Sequence, residues 1–429
     1  MSPKRIATMP QRECTKTKAQ VARPNKRITL PIAAEKYNEI VNDCQAFRTM
    51  LDNMIATYPE LFPAGIGEGY TLHDERSSSK LEGVRLRRIC LKARDVKGKK
   101  RVFTIAPSAV MPYFVGRTDE VEKAIFLRRF DVPFWALTYV FGRDDQYWYR
   151  LENQFGRYNL VQTVVKDPEK LPKHLLADEK VTWLNGEEVA VATTVGDDCV
   201  LGASVALGID TPNLEEAYQH FKDEALQLDP DYQPETVNTD GWDATQKAWR
   251  NLFPLIVILE CFLHAFIKIR ERGKHLKDVF RQISQKVWEV YHAPDAVAFR
   301  LQATELLAWA EHNTSGYVLD AVRKLCSKVD RFVLAYKYPF AHRTSNMLDR
   351  HMNLMDRWLH SSHFFHGHWT SAERSIRARA LLHDFSPYCP RSRTHQYFSS
   401  PAHKLNGFVY HDNWLHNLMI STSLSGVSR

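Results

Sequence analysis

The sequence of 429 residues has no paired cysteines. Its seven (Cys14, Cys44, Cys90, Cys199, Cys261, Cys326 and Cys389) are scattered, odd in number and free of any Cys-x-x-Cys spacing. That excludes a disulfide framework and points to a reducing, cytoplasmic setting. No apolar stretch follows the first residues, so no secretory signal is expected. Nor is any hydrophobic run long enough for a bilayer. The most apolar segment, 252–269, is broken by Glu260, His264 and Lys268, with Pro254 near its start, whereas a span needs about 20 consecutive apolar residues. A buried strand leading into a helix fits it better, and no membrane partner is expected. Acidic residues are scarce at the start. Within 1–30, Glu13 stands alone against Lys4, Arg5, Arg12, Lys16, Lys18, Arg23, Lys26 and Arg27. This stretch is predicted to be a disordered basic tail able to touch a phosphate backbone.

What is present describes a globular chain of two or three domains, with 44% apolar and 25% charged residues. The net charge of +8 and pI near 9.0 favour a polyanionic partner.

Residues 31–165 read as a mostly helical DNA-binding region. Tyr37, Ile40, Val41, Cys44, Phe47, Leu51 and Met54 recur at helical spacing and predict one amphipathic helix from Ala33 to Thr57. Two strand-like runs within 84–105 flank Lys97-Gly98-Lys99-Lys100, which predicts a β-hairpin with a basic tip. Three short helices follow over 118–156. Thr118 serves as N-cap of the first, and Gly142-Arg143-Asp144 is the turn before the third, a helix-turn-helix pattern. The third helix and its flanks carry Arg143, Gln146, Tyr147, Arg150, Asn153 and Arg157, the candidate DNA contacts. Trp135, Trp148 and Leu151 would form the core of the same helices.

From Leu175 the rhythm changes. Strands are predicted at 177–183, 188–195 and 199–207, joined by the turns Asn185-Gly186 and Gly196-Asp197-Asp198. A helix over 214–225, a strand over 236–239, a helix over 244–251 and a strand over 255–259 complete a β-β-β-α-β-α-β order. That order describes an RNase H-like mixed sheet in an α/β (α+β) chain. The core would occupy 170–274 and 338–386, interrupted by an all-helical insertion over 275–337. Thr370 and Glu373 form a predicted capping box for the last helix. Residues 387–429 read as a basic tail.

Three aspartates stand at telling points: Asp178 on the first strand, Asp240 at the end of the fourth, and Asp349 just inside a helix start. On neighbouring strands Asp178 and Asp240 would lie side by side. Converging carboxylates repel one another unless cations neutralise them. Each has a plainer role open to it. Asp178 can pair with Lys180, Asp240-Gly241 can be a turn, and Asp349 can pair with Arg343 or Arg350.

Within about 175–384 the chain resembles the DDE-type transposases of the Mutator-like group and their bacterial insertion-sequence relatives. ADEK at 177–180, TDGW at 239–242, CFLH at 261–264 and TSNMLDR at 344–350 carry the likeness, with the helical block between the last two. The resemblance implies that Asp178, Asp240 and Asp349 are catalytic and hold two Mg²⁺ ions, with Mn²⁺ able to substitute. Cys261, His264, Asn346 and Arg350 would support the site. The implied partners are double-stranded DNA, as transposon ends and target, and a second copy of the chain in a synaptic dimer. The implied setting is cytoplasmic and DNA-associated. Most such enzymes carry Glu where this chain has Asp349, so Glu373 and Glu311 stay open as the third acid. Cys261 and His264 alone do not fill a zinc tetrahedron. His360, His363, His366 and His368 read as helix-end and loop surface. Trp309 and Trp358 are core residues or stacking platforms for an unstacked base.

Overall fold

The structure is a computed structural model that describes residues 23–78, 80–393 and 397–427. The predicted basic tail up to residue 22 lies outside the described residues. The chain is mixed α/β with two mixed sheets.

The first sheet comprises β1 (Arg27–Leu30), β2 (Tyr70–Ser77), β3 (Arg85–Arg94) and β4 (Lys100–Pro107), in the order β1-β4-β3-β2. β1 runs parallel to β4, and β3 is antiparallel to both its neighbours. The predicted hairpin is therefore the middle of a larger sheet. Its tip is held by Asp95, whose carboxylate accepts from Lys97 N (2.9 Å) and Lys99 N (2.7 Å). The expected single helix over Ala33–Thr57 is two, α1 (Ala34–Ile40) and α2 (Cys44–Thr57). Asp43 breaks it by capping α2, accepting from Gln45 N and Ala46 N.

Three helices come next: α3 (Thr118–Arg128), α4 (Phe134–Phe141) and α5 (Asp145–Phe155). A short α6 (Leu160–Val164) follows. Thr118 lies inside α3 and Arg117 is the N-cap. Trp148 and Leu151 are buried as expected, but Trp135 is exposed. The helix-turn-helix is not a separate unit, because Trp148, Leu151 and Phe155 share one apolar cluster with the second sheet. No break in the core falls at 165–170.

The second sheet comprises β5 (His174–Leu184), β6 (Glu187–Gly196), β7 (Cys199–Ala206), β8 (Thr236–Thr239) and β9 (Val257–Glu260), in the order β7-β6-β5-β8-β9. β5, β6 and β7 form an antiparallel meander, and β5, β8 and β9 are parallel. Asn185 and Gly186 both take positive φ, as a type I′ hairpin turn requires. Between β7 and β9 come α7 (Thr211–Leu228) and α8 (Asp243–Leu252).

Helices α9 (Phe262–Gly273), α10 (Asp278–Tyr291), α11 (Ala296–Asn313), α12 (Gly316–Cys326) and α13 (Val329–Phe332) form the insertion. Phe262, Phe266 and Ile269 of α9 join its core, so the insertion begins before residue 275. Helices α14 (Asn346–Ser361) and α15 (Trp369–Phe385) return to the sheet. Glu373 closes no capping box. It is buried and accepts from Val205 N (2.7 Å) on β7.

The predicted tail beyond 387 is folded over its described part, with α16 (Pro390–Arg393), α17 (Pro401–Asn406) and α18 (Trp414–Ser421). Trp414, Leu415, Leu418 and Met419 enter the main core, and Ile420 enters the core of the first sheet. Burial of these side chains outweighs the basic, aromatic composition that suggested a tail.

Candidate active site at the end of the second sheet

β5 pairs in parallel with β8 from His174↔Thr236 to Leu176↔Asn238. The same offset separates Asp178 from Asp240. Adjacent parallel strands lie about 4.8 Å apart, so the two aspartates project side by side where β8 ends. β8 stops there because Asp240 Oδ1 accepts from Trp242 N (2.8 Å) and Gly241 turns the chain at φ +92°. β9 continues the row. Its Glu260 pairs with Thr239, and Cys261 N donates to Thr239 O (2.8 Å). The apolar residues behind this row, Leu175, Leu176, Ala177 and Val237, are buried and fix it from below.

A distant loop supplies the third acid. Asn238 Nδ2 donates to His342 O (2.8 Å), and Phe262 N donates to Arg343 O (3.2 Å), which ties 342–345 to the ends of β8 and β9. Ser345 is the hub of the cluster. Its N–H donates to Cys261 Sγ (3.2 Å), and its hydroxyl lies 3.0 Å from each Asp349 oxygen, 3.2 Å from Cys261 Sγ and 3.5 Å from His264 Nδ1. Asp349 thus enters on the first turn of α14, facing the ends of the strands.

The electrostatics are those of crowded carboxylates. Burial, then the charge of Asp240 and more weakly that of Asp349, push the Asp178 carboxyl up to about 6, against the Glu179 N–H and His264. Burial also raises Asp349, opposed by His264 and the Ser345 hydroxyl. The Cys261 hydrogen bond, helped by the charges of Asp349 and Asp178, raises His264 to about 9 against its burial, so the ring is cationic at neutral pH. Burial would raise the Cys261 thiol, but His264 and Ser345 together hold it below its usual value.

Asp240 does make its turn with Gly241, whereas the partners considered for Asp178 and Asp349 are engaged elsewhere. Lys180 pairs with Asp356 (2.5 Å), and Arg343 stacks on Tyr291 and Tyr336. Asn346 and Arg350 are exposed, and Arg350 Nε donates to Asn346 O (3.3 Å) and not to a carboxylate. Among the described residues no ion pair involves Asp178, Asp240 or Asp349. The other candidates for third acid lie apart. Glu373 is bound to β7, and Glu311 pairs with Arg323 (3.1 Å) in the insertion.

Three oxygen-only donors of like charge suit a hard divalent cation such as Mg²⁺, which keeps several waters of its own. Among the described residues no three His, Cys, Asp or Glu side chains close tightly enough to cage an ion directly. The set fits in kind and is open in geometry.

Some of the site was not anticipated. Glu179, on the opposite face of β5, accepts from Tyr218 OH and Thr245 Oγ1 (both 2.7 Å), and burial pushes it up to about 7. A cleft of about 220 Å³ runs from Asp240 and Cys261 to the insertion, where Lys268, Arg272, Lys324 and Lys328 line it. Lys328 is paired with Glu260 (2.6 Å), whereas Lys268, Arg272 and Lys324 have no ion-pair partner among the described residues. The i, i+4 spacing of Lys268 and Arg272 was the available signal.

Of the expected DNA contacts, Arg143, Gln146 and Arg150 are exposed. Tyr147 OH is committed to Val115 O (3.0 Å), Asn153 Nδ2 to Ser371 O and Ser375 Oγ on α15, and Arg157 is half-buried. Trp358 is buried beneath the Arg379 guanidinium (4.4 Å) and offers no stacking platform. Among the described residues no helix is long and apolar enough to cross a membrane. No known protein family matches the chain, and no curated protein does.

Proposed function

We propose that the chain is a DNA transposase whose second sheet is the core of an RNase H-like catalytic domain of the three-aspartate type. The observation that carries this is the shared β5–β8 register, which sets Asp178 beside Asp240 at the point where the 342–345 loop delivers Asp349. The meander followed by parallel strands agrees with it. So does the cleft opening from Asp240 toward the insertion, where Lys268, Arg272 and Lys324 stand beside Glu271.

In this reading Asp178, Asp240 and Asp349 would hold a pair of Mg²⁺ ions, which Mn²⁺ would replace. When bound, such ions lower the pKa of an attacking hydroxyl and stabilise a leaving oxygen at phosphorus. The chain's own groups do the rest. Lys268, Arg272 and Lys324 hold the backbone phosphates that flank the scissile one. Ser345 fixes Asp349, and the His264 imidazolium offsets part of the negative charge of the three carboxylates. Arg143, Gln146 and Arg150 contact the duplex from the third helix. Water as nucleophile nicks the strand, and a 3′-hydroxyl as nucleophile joins it to target DNA. Synapsis of two ends would bring two copies of the chain together.

The test is nicking and strand transfer of duplex DNA in Mg²⁺ or Mn²⁺. Asp240→Asn should drop both to background while DNA binding persists. Nicking without joining of a pre-cleaved end would identify a nuclease instead. The open geometry of the three donors favours a second reading, a DNA-binding chain without catalysis. Absence of metal-dependent nicking in a chain that binds duplex would establish it.

A further inference from the structure

A second cationic site lies away from the aspartates. A cavity of about 190 Å³ spans the face of the first sheet beneath the C-terminal end of α5. All four strands line it or its margin: Lys26 and Arg27 at β1, Arg76 on β2, Leu86 on β3 and Thr104 on β4. Gln154 and Arg157 close it from the α5 side. No Asp or Glu stands among its described lining residues.

Two partly buried side chains in this cavity lack what burial demands. Arg27 contacts only uncharged oxygens, with Nε donating to Thr29 Oγ1 (3.2 Å) and Nη2 to the Val110 carbonyl. Burial lowers its guanidinium to about 10, and no carboxylate compensates the charge. Gln154 Nε2 is buried with no hydrogen-bond acceptor. A buried amide N–H without a partner is destabilising, so the cavity offers both a charge and a free donor to an anionic oxygen. Lys26 and Arg76, exposed at its mouth, have no ion-pair partner among the described residues. The C-terminal end of α5 carries about half a negative charge, which several full positive charges outweigh.

We propose that this cavity binds a phosphate group, supplied by the DNA backbone alongside α5. Gln146, Arg150 and Gln154 recur every four residues on α5 and form one side of the helix leading into the cavity. A strand lying along Gln146 and Arg150 places its next backbone phosphates at Lys26 and Arg76, with Gln154 donating to a phosphate oxygen. This rests on the DNA-binding reading above and adds an anchor that the helix-turn-helix pattern alone lacks.

The experiment measures binding of a mixed-sequence duplex to the full chain by fluorescence anisotropy across a salt series. The double variant Lys26→Gln/Arg76→Gln should weaken binding and reduce the slope of log K against log salt by about 1 to 2, near one per lost phosphate contact. Gln154→Leu should weaken binding with the slope unchanged. A control that removes two exposed charges elsewhere, Lys36→Gln/Lys123→Gln, should leave the slope alone. Circular dichroism checks that each variant folds. A parallel arm follows thermal stabilisation of the same proteins by inorganic phosphate. If the wild-type chain binds duplex and the double variant keeps its slope, the anchor is refuted and the DNA reading stands. If the wild-type chain binds no duplex, the DNA reading fails as well. Stabilisation by inorganic phosphate that is lost in the double variant would then assign the cavity to free phosphate and overturn the DNA source.

Discussion

His351 and His383 meet edge-on at 5.1 Å in the interior, each with a buried Nδ1 that has no partner. Burial holds His351 down at about 4 and, with the neighbouring His351 and Arg129, holds His383 well below its usual value. Arg129, Asp131 and Arg379 line the same small cavity. Both rings are neutral when folded and take up a proton near 6.5 when unfolded. The unfolded state therefore binds more protons between about pH 6.5 and 4, and stability falls as pH falls through that window. His351 alone accounts for up to roughly 3 kcal/mol at 1.36 kcal/mol per pH unit. Urea unfolding at pH 7 and pH 4 should show this loss, and His351→Gln should shrink it. At this scale the sequence was partly legible. The three aspartates were found because each sits at a recognisable point: Asp178 on a strand, Asp240 at the end of one and Asp349 just inside a helix start. Ser345 and Glu179 were not, because their roles depend on partners far along the chain: Cys261 for Ser345, and Tyr218 and Thr245 for Glu179.

Elements with their own periodicity were the readable ones. The β5–β6 hairpin follows from alternating apolar residues around Asn185-Gly186, and α5 from its buried Trp148, Leu151 and Phe155. β2 escaped because it is a mostly exposed edge strand whose YTLHDERS shows no apolar face. The other sheet's edge, β7, is buried along its whole length, and α15 covers its free side. Glu373 accepts from Val205 N, Asp384 Oδ1 accepts from Val200 N (3.0 Å), and Trp369 Nε1 donates to Val205 O (3.1 Å). An edge whose amides are already engaged cannot recruit another strand. Asp384 is fully buried, its pKa is raised well above the usual value by that burial, and its Oδ2 has no partner. Only the acceptor oxygen is needed there. Asp384→Asn should match or exceed the wild-type melting temperature at pH 7. Asp384→Ala should cost about 1–3 kcal/mol by orphaning the Val200 amide. Thermal unfolding separates the two outcomes.

Across the whole molecule, the two sheets are joined through the last described residues. α18 buries Leu418 in one core and Ile420 in the other. Beyond it, Leu424 N donates to Arg27 O (3.0 Å), Ser423 Oγ bonds both backbone groups of Thr29, and Val427 bridges Pro24. None of this was visible locally, because a short helix after a long polar loop gains its burial only from elements placed hundreds of residues earlier. Removal of 401–427 should uncover both cores. Near-ultraviolet circular dichroism would then lose its fine structure, and limited proteolysis would reach the first sheet and not only the severed end.

The Pro24–Val427 bridge also has a meaning in time. A ribosome delivers residue 24 first and residue 427 about four hundred peptide bonds later. Until then β1 has β4 beside it but not the 423–427 segment that bonds Arg27 and Thr29, and the seam between the two sheets stays open. Native topology is completed only after residue 427 has emerged, so a nascent copy halted by an earlier stop codon never acquires it.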